Sequence, residues 1–122
     1  MMLIFALILA TPTALTDLHQ RDIFCVVEIA VLADAQKRGA SGGIDVQVNG
    51  KRWAGIVGDR IMFETGQPRE IVAIAMTEAA KARSARVTNS GAVTACTSQM
   101  QAELAAAEQA VAPLPKPLKA SK

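Results

Sequence analysis

The stretch RDIFCVVEIAVLAD, residues 21–34, decides how the chain is read. From Ile23 to Ala33 it is apolar except for Cys25 and Glu28. The run is too short to span a bilayer, which takes about 20 apolar residues, and Glu28 interrupts it. Placed on a helix of about 100° per residue, Arg21, Glu28 and Ala35 fall within one thin strip. The rest of the surface is apolar almost all round, which is the pattern of a helix at the centre of a domain. The sequence therefore places Glu28 on a narrow solvent strip and Cys25 at the edge of the buried face.

The flanks support a helix over 17–38. Asp17 can cap its start, with Gln20 three residues on in the manner of a capping box. Gly39 suits the position just past its end. Asp17/Arg21 and Asp34/Arg38 are i,i+4 pairs with the acid first.

Three further segments follow. Residues 39–50, GASGGIDVQVNG, read as a loop. IDVQV alternates, predicting an extended 44–48, and Asn49-Gly50 is a hairpin signal. Trp53, Ile56, Val57 and Ile61 recur at helical spacing, which predicts a helix over 51–65 that Gly66 ends. Gly55 and Gly58 weaken it by about 1 kcal/mol each and leave room for a close neighbour. Trp53 is expected in the core.

A helix over 68–86 opens on Pro68 and buries Ile71, Val72, Ala75, Met76 and Ala79. Lys81, Arg83 and Arg86 near its end complement the helix dipole and face water. A fourth helix, 90–111, is capped by Asn89 or Ser90. Val93, Cys96, Thr97, Met100, Leu104, Ala107 and Val111 form its docking stripe, with Gln99, Gln101, Glu103, Glu108 and Gln109 outside. The expected architecture is all-α, a small bundle of about four helices. With 122 residues, the chain allows one domain. Only 3% of them are aromatic, and alanine and short aliphatics fill the rest of the core.

The termini carry different information. Met1 to Ala10 is an apolar run broken by Thr11 and Pro12. Its length matches the roughly 7–15 residue hydrophobic region of a secretory signal. The expectation is a signal peptide over 1–14, a helical domain over 15–112 and an irregular Pro/Lys tail over 113–122. An uncleaved signal acting as a weak membrane anchor, and a core helix of a cytosolic protein, are the alternatives. Lys116, Lys119 and Lys122 account for the net charge of +2. Without a basic patch carrying aromatics, nucleic acid is not an expected partner.

Cys25 and Cys96 stand 71 residues apart, with no CxxC and no metal-ligand spacing. In an oxidising compartment two cysteines and no others most simply form one disulfide. A periplasmic or secreted location is therefore expected; two buried thiols of a cytosolic protein are the alternative. A loop of this length is worth roughly 4–5 kcal/mol. That is large beside the ~5–15 kcal/mol that holds a domain.

Chemistry is sparse. No phosphate loop, no HExxH and no serine triad can be assembled, so no catalytic residue, metal or cofactor is expected. His19 lies a third of a turn round the helix from Cys25 and cannot pair with it; a surface position is its default. An enzyme would need a pocket gathering His19, a carboxylate and a residue such as Ser90. Asp59 and Glu64 need no role beyond surface charge.

VTNSGAVTACTSQMQAEL, residues 87–104, resembles the second-cysteine region of the small periplasmic acid-stress chaperones of the HdeA/HdeB kind. The shared elements are Val87-Thr88, Val93, Ala95-Cys96-Thr97 and Gln101-Ala102. The resemblance implies an exported helical protein with one disulfide, Cys25–Cys96, and binding of protein clients through apolar helix faces opened by acid. The family usually has a tryptophan before its first cysteine, where Phe24 stands here, and a shorter spacing between the two. The whole chain also resembles other small exported helical proteins of bacteria, which implies no activity.

Overall fold

A computed structural model describes residues 11–40, 43–84 and 89–110. They form four helices and, among the described residues, no strand: α1 (Asp17–Lys37), α2 (Gln47–Thr65), α3 (Arg69–Ser84) and α4 (Ser90–Ala110). The expected all-α bundle is what the chain builds. Residues 1–10 of the predicted signal and the predicted 113–122 tail lie outside the described residues.

α1 starts at Asp17, as the sequence suggests, but its cap differs. Thr16, not Asp17, is the cap: its Oγ1 accepts from the His19 backbone N–H at 3.2 Å. His19 Nδ1 reaches back to the Thr16 N–H at 3.0 Å, closing the box. Histidine replaces the usual Glu or Gln at that position, so the pattern escapes a search for S/T-x-x-E/Q. At the other end Gly39 adopts φ 106°, which a side chain would oppose. The pair Asp34–Arg38 forms as expected, at 3.0 Å on the surface.

The expected extended 44–48 and hairpin turn do not occur. α2 starts at Gln47, so Asn49-Gly50 lies in its first turn. Two contacts override the local signal. The Gln36 side chain donates to Ile44 O at 2.8 Å and accepts from Val46 N–H at 2.9 Å, which ends α1 and places α2. Asp45 Oδ1 then accepts from Gln47 N–H at 2.9 Å. Gly50 also sits where α2 crosses α1: a Cβ there would stand 2.9 Å from Ile29 Cγ2. Gly55 and Gly58, expected to serve close approach, meet nothing nearer than 4.0 Å. Gly66 ends α2 as predicted, at φ 73° with its N–H on Met62 O.

α3 starts after Pro68, whose carbonyl accepts from Ile71 and Val72 N–H. Asn89 caps α4, Oδ1 accepting from Ala92 N–H at 3.0 Å. α1 contacts all three other helices and α2 contacts α3 and α4, while no Cα of α3 comes within 8 Å of one in α4. α1 is therefore central, as its all-round apolar surface requires. The core joins Ile23, Val27 and Ile29 to Trp53, Val57 and Ile61, with Val72, Cys96, Met100 and Leu104 closing the sides. Of the apolar residues of α3 only Val72 is fully inside; Ile71, assigned to the buried face, is exposed with Ile74 beside it.

A groove along the central helix and the ties that frame it

Every neighbour of α1 is tied to it by a specific bond or ion pair in addition to packing. To α4 the tie is covalent: Cys25 and Cys96 are disulfide-bonded, with Cα atoms 5.0 Å apart. Both cysteines are buried, Cys96 in the predicted docking stripe of its helix and Cys25 at the predicted edge of the apolar face.

To α3 the tie is an ion pair. Arg83 Nε stands 2.7 Å from Glu28 Oε2, and both side chains are buried. This corrects two expectations, since Glu28 was placed on a solvent strip and Arg83 in a hydrated cluster. The strip exists, with Arg21 exposed and Ala35 half-buried, but its middle faces another helix. One charge on each side makes the contact tolerable, since burying opposite charges together costs less than burying either by itself. Arg86 lies outside the described residues.

To α2 the ties are two. His19 Nε2 pairs with Glu64 Oε1 at 2.7 Å, and His19 is buried rather than on the surface. One turn along, Arg60 bridges Asp22 at 3.0 Å and Glu103 of α4 at 3.1 Å. Trp53 Nε1 donates to the same Glu103 oxygen at 2.7 Å, and Gln99 donates to Asp22 and Glu103. Gln99 and Glu103, assigned to the outside of α4, thus form a network at the edge of the core. Trp53 is fully buried as expected, and its indole N–H finds the partner that burial demands. Burial pushes the Glu103 carboxyl up, but the hydrogen bonds from Trp53 and Gln99 and the pull of Arg60 outweigh it and hold Glu103 below the ordinary value. The Arg60 guanidinium, desolvated but facing two carboxylates, is held above its own.

Between these ties α1 is left partly bare. A groove of about 690 Å³ runs between α1 and the first turns of α2. Its floor is Val26, Ala30, Ala33, Gly50 and Ala54; its edges are Asp34, Lys37, Gln47, Val48, Lys51 and Arg52. A second, shallower groove of about 430 Å³ continues over Val27 and Val31 to Met76 and Ala80 of α3, sharing Val26 and Ala30 with the first. Val48 is 72% exposed at the lip. No residue type announces this groove in the sequence. It follows from small side chains meeting where two helices diverge, and divergence is a tertiary property.

The residues that an enzyme reading would need are not brought together. His19 meets Glu64, whereas Ser90 lies beside Glu28, Val31 and Ala35 further along α1. Asp59 is exposed. Among the described residues no three His, Cys, Asp or Glu gather as metal ligands, and no helix is long and apolar enough to cross a membrane. No protein family, curated protein or solved structure matches this chain.

Proposed function

We propose that this is a non-catalytic, chaperone-like binding protein of the cell envelope, exported and disulfide-bonded, which holds apolar segments of client proteins when acid loosens its bundle. One observation carries the reading. Every polar tie from α1 to α2 and α3 ends on a carboxylate (Glu64, Asp22 or Glu28), whereas α4 is held by a bond that acid leaves intact.

Acid weakens ties of that kind and leaves the disulfide intact. α2 and α3 are then free to swing away from a core pair that remains joined. Val27, Ile29 and Met100 would be uncovered on the α1–α4 pair, next to the groove that is already open. Apolar residues left at the surface of the closed form, Val31, Ile71, Ile74 and Phe63, add to the surface on offer.

The test is aggregation of an acid-labile client protein at pH 2–3 with and without the full chain, and with the disulfide reduced. Protection that requires the intact disulfide supports the reading; no protection by a folded, oxidised protein ends it. A second reading, a partner protein with a fixed surface, draws on the groove's being open in the closed bundle. One stoichiometric partner co-purified at neutral pH would favour it.

A further inference from the structure

From the α1–α2 groove we infer that this protein binds one long-chain fatty-acid anion, its chain on the alanine floor and its carboxylate at the lysine edge. The volume, about 690 Å³, lies within the roughly 300–1,000 Å³ typical of small-molecule sites. From Val26 to Lys37 the groove follows twelve residues of α1, about 16 Å of helix. That makes a slot rather than a bowl. Ala30, Ala33, Gly50 and Ala54 line it with side chains too short to fill it. An unbranched chain fits such a slot better than a folded peptide does.

The slot is polar at one end and along its edges. Val26 and Ala54 close the apolar end, and Lys37 and Gln47 the other, with Lys51 and Arg52 on the α2 wall. Arg52 is engaged with Asn49 and Glu108. Lys37 and Lys51 have no ion-pair partner among the described residues. The single acid at the edge, Asp34, is occupied by Arg38. The groove therefore offers two uncommitted cations beside an apolar channel, which is complementary to one carboxylate on one alkyl chain. Val48, largely exposed at the lip, would fold over the bound chain.

Calorimetric titration of the full chain at neutral pH with dodecanoate and tetradecanoate, below their micelle concentrations, tests this. The expected result is one saturable site, with Kd falling about two- to fourfold per added methylene. Dodecyltrimethylammonium should bind about tenfold more weakly or not at all. Ala30→Phe, a substitution at an exposed floor position, should abolish binding with the melting temperature retained. The double variant Lys37→Glu/Lys51→Glu should weaken it by about tenfold. If Ala30→Phe does not fold, the surface lysine pair alone decides. No saturable binding, equal affinity for the cationic amphiphile, indifference to the variants, or association only with anionic phospholipid vesicles overturns the inference. It does not depend on acid opening: client protection without fatty-acid binding refutes only the slot, and binding without protection refutes only the chaperone reading.

Discussion

Arg83 of α3 reaches across to Glu28 of α1 at 2.7 Å, and the two charges are buried together. Neither helix supplies a reason for its own charged residue; each explains the other's. Glu28→Gln or Arg83→Met alone should cost about 3–5 kcal/mol, because a buried charge loses its opposite charge 2.7 Å away. The double variant Glu28→Leu/Arg83→Met should come within about 1–2 kcal/mol of the original or exceed it. Urea unfolding of the four proteins gives the coupling directly.

Reduction of Cys25–Cys96, or its replacement by serines, should lower stability by roughly 4–5 kcal/mol, less any strain it relieves. Against ~5–15 kcal/mol for the domain, the reduced protein should unfold at much lower denaturant concentration. Guanidinium curves under oxidising and reducing conditions measure the difference.

Glu103 provides a pH dependence with a definite sign. Its folded value is lowered from 4.5, by Trp53, Gln99 and Arg60 against the opposing effect of burial. Its contribution is therefore complete above the unfolded value. It declines as pH falls below about 4.5 and is lost once pH has passed through the lower folded value. Glu103→Gln should reduce stability at neutral pH and flatten this part of the acid limb. Because Trp53 is the only tryptophan and donates to Glu103, its fluorescence should shift over the same interval in the native protein and not in the variant.

Two glycines of α2 should respond oppositely to alanine. At Gly50 the added Cβ would meet Ile29 Cγ2 at 2.9 Å, so a packed core side chain must move. Overpacking of this kind costs about 1–3 kcal/mol, which cancels or exceeds the helix propensity gained. At Gly55 nothing lies within 4 Å, and Gly55→Ala should stabilise by about 0.5–1 kcal/mol. Thermal melts of both variants check the contrast.

Much of the fold was legible because it follows from periodicity. The all-round apolar face of α1 announces a central helix, and the stripe through Cys96, Met100 and Leu104 announces the face that docks on it. The disulfide followed from compartment chemistry rather than spacing. Most of what failed has one physical cause: a residue's partner lay on another helix. His19, Glu28, Arg83, Gln99 and Glu103 each looked like surface in their own segment, and each is matched by a group at least 43 positions away. The hairpin signal at Asn49-Gly50 failed in the same way, overruled by Gln36 and Ile29. The groove was invisible for the complementary reason, since small residues leave no pattern when what matters is the space they fail to fill.

The Cys25–Cys96 bond also closes a covalent ring that contains the second half of α1, all of α2 and α3, and the start of α4. A protease that cuts the chain anywhere inside that ring opens it without releasing a fragment. The nicked molecule keeps both ends attached, gaining only the mass of one water, and falls into two pieces when a reductant reaches the sulfurs. In surroundings rich in peptidases, a single cut within α2 or α3 would thus leave α1 and α4 still paired.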